Sequence, residues 1–203
     1  MDPLRAFFER LAKEWDAQQP PDREERLRQL LAAFRPMLRL ARSILEVGTG
    51  TGALSPLLGE SAPAARVISI DLAHAMLQHA RQRCAEAYLA QADAHRLPFA
   101  SGAFDLVVCH NVFPHFRDKP TALAELARTL CPGGHVLIFH DLNREQVNAI
   151  HREVGGAVGN DLLPPGEDLH RLLVAAGFTA VSVEDGRGHY QGIGRRRALV
   201  ELA

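Results

Sequence analysis

Three kinds of residue in this chain could do chemistry, and their positions group them. Gly48, Gly50 and Gly52 stand at alternate positions directly after an apolar run, within Ser43-Ile-Leu-Glu-Val-Gly-Thr-Gly-Thr-Gly52. Glycines so placed let the backbone turn tightly and approach a ligand with no Cβ in the way. Asp71 and Asp93 each close a later apolar run, Arg66-Val-Ile-Ser-Ile-Asp71 and Tyr88-Leu-Ala-Gln-Ala-Asp93. A carboxylate accepts hydrogen bonds from hydroxyl and amino donors. His110 and His140 end Phe104-Asp-Leu-Val-Val-Cys-His110 and His135-Val-Leu-Ile-Phe-His140, and His115 lies just beyond His110. An imidazole with a pKa near 6.5 can remove a proton at neutral pH.

The elements that position these groups alternate. Ile44, Leu45 and Val47 suit a buried parallel strand, and Ala53-Leu-Ser-Pro-Leu-Leu58 reads as a helix whose N-terminus faces the glycine turn. Strands follow at 66–71, more weakly at 88–93, then at 104–110 and 135–140, with helices over 73–86 and 120–130 between them. Cys131-Pro-Gly-Gly134 is expected to break the preceding helix and start the fifth strand, and Ala94 to Pro98 is a loop. Beyond lie helices over 143–154 and 167–176, a stop at Gly177, a sixth strand over 178–184 and a seventh within 189–202, broken at Gly192 and Gly194. The pattern is that of an α/β doubly wound, Rossmann-like sheet, in which ligands bind at the carboxyl ends of the strands. Asp71 follows the glycine turn by about 20 residues, the separation at which an acid takes ribose hydroxyls in such folds. It is also placed to cap the helix that follows, and the two roles are compatible.

Two N-terminal helices precede this unit. Leu4, Phe7, Phe8, Leu11 and Trp15 share helical spacing over residues 4–16, and Leu27, Leu30, Leu31 and Phe34 form an apolar stripe over 23–34. Both are expected to pack on the main body, and the first is also placed to close over the site.

At 203 residues, 47% hydrophobic, the chain suits one domain: a helical cap over 1–42, a ligand-binding core over 43–141 and the remaining strands over 142–203. The net charge of −1 supplies no electrostatic case for nucleic acid, and the Arg195-Arg-Arg197 cluster lacks interleaved aromatics. Three isolated cysteines, Cys84, Cys109 and Cys131, fit a reducing compartment. The charged N-terminus is unlike a signal peptide and no run reaches membrane-spanning length, so a cytoplasmic protein is expected. The oligomeric state is left open.

Five motifs in order, Glu46-Val-Gly-Thr-Gly-Thr-Gly52, Asp71, Ala92-Asp93-Ala94, Phe104-Asp-Leu-Val-Val and Leu130-Cys-Pro-Gly-Gly134, resemble those of class I S-adenosylmethionine-dependent methyltransferases, most closely the type 11 group. The resemblance implies a seven-stranded sheet whose last strand is antiparallel, with S-adenosyl-L-methionine as cofactor. It implies that Glu46, Gly48, Thr49, Gly50 and Gly52 border the methionine and ribose portions, that Asp71, followed by Leu72, takes the ribose hydroxyls, and that Asp93, followed by Ala94, meets the adenine amino group. His110 would border the methionine end. NAD is the rival cofactor, but the glycines here read GxGxG rather than GxGxxG.

Transfer from a sulfonium needs alignment and exclusion of water, and a base only when the nucleophile arrives protonated. His110, His115 and His140 are the candidate bases, with Asp141 available to orient an imidazole. A metal built from His110, His115, His140, Asp141 or His151 lacks firm ligand spacing, so none is expected. His110-Asn-Val-Phe-Pro-His115 stands where amino-group methyltransferases of nucleic acids and glutamine carry Asn-Pro-Pro-Tyr, which favours a small-molecule acceptor. The 140–177 segment, with His151, Arg152 and Asn160, is where this family builds part of the acceptor pocket. The competing reading is a cofactor-binding partner protein without turnover.

Overall fold

The computed structural model describes residues 2–85, 87–186 and 188–198. Seven strands form one sheet in the order β3-β2-β1-β4-β5-β7-β6. They are β1 (Ser43–Val47), β2 (Arg66–Asp71), β3 (Tyr88–Gln91), β4 (Phe104–His110), β5 (Leu130–His140), β6 (Phe178–Asp185) and β7 (Tyr190–Arg196). β1 through β5 pair in parallel, and β7 runs antiparallel between β5 and β6. The expected seven-stranded sheet with an antiparallel last strand is therefore observed.

Alternation along the central strands separates two cores. Ile44, Leu106, Val108, Leu137 and Phe139 point to one face, where Leu27 and Leu31 of α2 (Arg23–Ala33), Leu38 of α3 (Arg35–Leu40) and Leu57 and Leu58 of α4 (Ser55–Ser61) cover them. Leu45, Val47, Val107, Cys109, Val136 and Ile138 point to the other, beneath Leu123 and Leu126 of α6 (Lys119–Thr129) and Leu169 and Leu173 of α8 (Gly166–Ala175). Period-2 burial on both faces is what a doubly covered sheet requires. Asp105 ties the start of β1 to β4, accepting from the Arg42 and Ser43 backbone N–H groups at 2.8 and 2.9 Å.

Several boundaries differ from the sequence reading. The first helix, α1, spans only Pro3–Leu11; after a bend Asp16–Gln18 forms a separate 3-10 turn, which brings Trp15 edge-on to Phe8 at 6.3 Å. The second helical stretch continues past Phe34 as α3. The helix expected over 73–86 is α5 (His74–Arg83), and Glu86 lies outside the described residues. β3 ends at Gln91, so Asp93 sits in the turn after it, bridged to Arg96. The helix before the Pro-Gly-Gly segment ends at Thr129, as expected, but the fifth strand starts at Leu130 and already contains that segment. Leu130 pairs with Phe104 and His135 with Leu106, so the segment is a bulge inside β5, with Gly133 at φ 83°.

β7 is likewise unbroken through Gly192 and Gly194; the remainder of the expected 189–202 stretch beyond residue 198 lies outside the described residues. Those glycines make room for packing rather than a turn. A Cβ on Gly192 would lie 2.7 Å from Leu169 Cδ2, and one on Gly194 2.9 Å from Phe178 Cβ. A helix, α7 (Arg144–Val154), follows β5, opened by a capping box between Asn143 and Gln146. Gly194→Val is expected to lower unfolding free energy by about 1–3 kcal/mol through overpacking against Phe178, measured by urea denaturation.

Candidate functional site

A cavity of about 330 Å3 opens at the carboxyl ends of β1, β2 and β4. Its floor is the turn after β1. The Gly48 and Thr49 N–H groups donate to the Ile70 carbonyl at 2.8 and 3.0 Å, and the Gly50 N–H to Asp71 Oδ2 at 2.8 Å. All three glycines have positive φ, but they do different things. A Cβ on Gly48 would meet Val112 Cγ2 at 2.4 Å, and one on Gly52 the Ala80 backbone at 3.0 Å, whereas one on Gly50 meets nothing within 4 Å. Gly50 is thus the position where bare backbone faces open space, while Gly52 serves the contact with α5 and does not line the cavity.

Three acids approach this floor. Glu46 is 2% exposed, and its Oε2 accepts from Ser55, Ser69 and Thr49 hydroxyls at 2.5, 2.6 and 3.1 Å. Burial pushes its carboxyl up, while those hydroxyls favour the ionised form. Asp71 accepts from Ala73 N–H at 2.9 Å as well as from Gly50. Burial raises its carboxyl to about 6 against the pull of those two N–H groups. Asp93 is exposed at the cavity edge; its partial burial is outweighed by the backbone N–H and imidazole of His95, which hold its carboxyl below the usual range. Leu72 and Ala94 line the wall beside them.

The three histidines separate clearly. His110 lines the cavity, stacked on Phe139 at 4.7 Å, its Nε2 lying 3.2 Å from Asp141 Oδ1. Asn111, at the unusual φ of 52°, also donates to Asp141. Burial works against the Asp141 carboxylate, but His110 and Asn111 hold it far below the usual range. His115 lines the cavity edge-on to Phe8, and its Nδ1 lies 2.9 Å from Asp161 Oδ2. Burial lowers the His115 imidazole while Asp161 opposes that shift. His151 also bonds the Asp161 carbonyl and lies beside His115 at 4.9 Å. His140 is 2% exposed and not among the lining residues; its Nε2 has no hydrogen-bond partner among the described residues, and burial drives its pKa down to about 3. Among the described residues no group of His, Cys, Asp or Glu is arranged to hold a metal, and no helix is long and apolar enough to cross a membrane.

The N-terminal helices form the outer wall. Leu4, Phe8, Trp15 and Arg23 all line the cavity. Glu9 fastens α1 to α5, accepting from the His74 and Ala75 N–H groups at 2.9 and 2.8 Å. α5 has no side-chain cap of its own, so a carboxylate from another helix completes its N-terminus. Asp16 bonds the Thr51 hydroxyl at 2.6 Å and Arg83 at 2.8 Å, and Asp2 pairs with Arg117. Sequence reasoning passed over Arg23, Asn111 and Asp161. Arg23 read as one charge on an amphipathic helix, and nothing in the spacing links Asp161 to His115.

A seven-stranded α/β sheet, a glycine turn after its first strand and an acid ending its second define a nucleotide-type site of the methyltransferase class. The methyltransferase type 11 family, described as a methyltransferase domain, matches residues 45–138. The chain is 33% identical over 193 residues to the malonyl-[acyl-carrier protein] O-methyltransferase of Geobacter sulfurreducens, covering 90% of this chain and 72% of that one. It is 34% identical over 164 residues to the demethylmenaquinone methyltransferase of Thermus thermophilus, covering 68% and 74%. In fold it is similar to a Thermotoga maritima S-adenosylmethionine-dependent methyltransferase, at a TM-score of 0.73 and 20% identity over 94% of this chain and 98% of that one. The chain belongs to the class I S-adenosylmethionine-dependent methyltransferases and is an enzyme of that class. Its donor set fits the cofactor: carboxylates for hydroxyl and amino donors, and an open backbone position at Gly50.

Because Glu9 is the tie between α1 and α5, Glu9→Ala should free the N-terminal wall without unfolding the sheet. Amide exchange within 3–18 is expected to quicken about 2- to 30-fold, the range set by loss of a helix cap. Exchange in β1, β4 and β5, followed in the same mass-spectrometric experiment, should stay unchanged.

Proposed function

We propose that this enzyme transfers the methyl group in line to a nucleophilic atom of a small-molecule acceptor held against the inner wall of the same cavity. What carries the reading is that a single cavity is lined by Asp71, Asp93, the glycine turn and His115. When bound, the cofactor supplies a methyl group already activated on a positively charged sulfur. Asp71 would accept from its ribose hydroxyls and Asp93 from its adenine amino group, with Leu72 and Ala94 beside them. Glu46, Gly48, Thr49, Gly50 and His110 would border the methionine and ribose portions. Phe8, Trp15 and Leu4 exclude water from above, which strengthens every polar contact beneath them.

Among the histidines, His115 is the one whose surroundings suit a base. Asp161 receives the Nδ1 proton, which leaves the Nε2 lone pair to take a proton from an acceptor as the new bond to the methyl group forms. His110, paired with Asp141, is assigned here to the methionine end of the cofactor, and His140 is sealed off and too weakly basic. The named relatives act on different acceptors, so they support methyl transfer without selecting oxygen, nitrogen, sulfur or carbon as the nucleophile. Release of S-adenosylhomocysteine against a metabolite panel tests the reading; no turnover on any acceptor would remove it.

Asp71→Ala should weaken S-adenosylhomocysteine binding by about 100- to 10,000-fold, the worth of two hydrogen bonds to a charged group, as read by calorimetry. Because burial places the Asp71 pKa near 6, the ionised acceptor is present above that pH and lost below it. Affinity should therefore hold at neutral pH and fall as pH drops through 6, and Asp71→Asn should flatten that dependence.

His115→Gln should lower turnover by about 100- to 10,000-fold while leaving cofactor affinity within about twofold. Burial lowers the His115 pKa, so the neutral base persists to a pH below 6.5, and wild-type kcat should fall only beneath that. An acid limb that survives in His115→Gln would refute the base assignment.

A further inference from the structure

We infer that Arg23 is the carboxylate-binding residue of this cavity and takes the α-carboxylate of the methionine portion of the cofactor. The inference rests on the cofactor placement proposed above. Its starting point is an unmatched donor: Arg23 lines the cavity, its side chain is 16% exposed, and its buried Nε has no hydrogen-bond partner among the described residues. A buried, unpaired donor on a cation is costly and demands an explanation.

The neighbouring carboxylate does not supply one. Asp16 Oδ1 stands 3.8 Å from Arg23 Nη1, and both Asp16 oxygens are already engaged, Oδ1 by the Thr51 hydroxyl and Oδ2 by Arg83. Arg23 therefore feels an anion without closing a hydrogen bond to it. A ligand carboxylate meeting Nε and an Nη together would satisfy the fork that the protein leaves open.

Position selects which carboxylate. Asp16 is bonded to Thr51 of the glycine turn, so Arg23 stands over that turn, and the other anion acting on it is Asp141, tied to His110 and Asn111. In the placement proposed above, His110, which Asp141 holds, borders the methionine portion. That places the guanidinium at the amino-acid end. The cavity is also rich in acid, with Glu46, Asp71 and Asp93 lining it. Those groups suit the ammonium of an amino acid and repel its carboxylate. Of the two arginines among the described lining residues, Arg117 is paired with Asp2, which leaves Arg23 to offset the repulsion.

The test is calorimetry with two ligands, S-adenosylhomocysteine and its decarboxylated analogue S-adenosyl-3-thiopropylamine, on wild type, Arg23→Gln and Arg23→Lys. Wild type should prefer the carboxylate-bearing ligand by about 10- to 100-fold, the range for hydrogen bonds to a charged group. Arg23→Gln should abolish that preference by weakening S-adenosylhomocysteine alone, and Arg23→Lys should restore part of it. An equal loss for both ligands would overturn the inference by making Arg23 a general support of the wall. No loss for either would overturn it by leaving the carboxylate to another group. Failure of wild type to bind S-adenosylhomocysteine at all would instead refute the cofactor placement on which the inference rests.

Discussion

The site depends on one splice between neighbouring strands. The chain leaving β1 must reverse into α4, and it does so by donating Gly48 and Thr49 N–H to the last carbonyl of the β2 core and Gly50 N–H to the Asp71 side chain. Each of these backbone groups would otherwise be an unsatisfied donor at the floor of a cavity. The same tie positions Asp71, because its second oxygen is held by Ala73 N–H. A carboxylate fixed on both oxygens by the backbone keeps its direction, so the acid end of the cavity is preorganised before any ligand arrives. Everything else is arranged around that fixed point: α5 packs on Gly52, Val112 on Gly48, and Gly50 is left bare.

Around the rigid floor stands a wall of different character. The N-terminal segment contacts the body through Glu9, Asp16 and Asp2, carboxylates that meet helix N–H groups, a hydroxyl and arginines at or near the surface. Such ties are individually weak and separable from the sheet core. On the apolar side of the wall Phe8 meets Trp15 and His115 edge-on, and Phe8 and Trp15 pack on a small buried cluster of Ala12, Ala73 and Met76.

How much of this was legible follows from the range of each interaction. The strand pattern, the glycine turn and Asp71 are written in contiguous residues, because alternation and positive φ are local constraints. The expected seven-stranded topology and the methyltransferase family both stand. The start of β5 and the β7 glycines differ from the sequence reading for a common reason. Local preference reads glycine as a breaker, whereas here Gly192 and Gly194 answer to Leu169 and Phe178 across the core, and the bulge lets β5 keep its pairing with β4. Among the histidines, sequence placed His110 and His140 alike at strand ends. Alternation along β4 and β5, with the packing above them, left one against the cavity and sealed the other beside Tyr190.

The sequence alone determined the class of protein and the acid-and-glycine end of its site, since those residues are set by short-range backbone geometry and by spacing along single strands. Only the tertiary structure decided which groups face one another across the cavity. Asp161 reaches His115 from 46 residues away, Glu9 caps a helix 65 residues beyond it, and the Arg23 Nε has no hydrogen-bond partner among the described residues. Such pairings depend on how separate elements pack, and a side chain carries no mark in its own neighbourhood of the distant partner, or the missing one, that gives it a role.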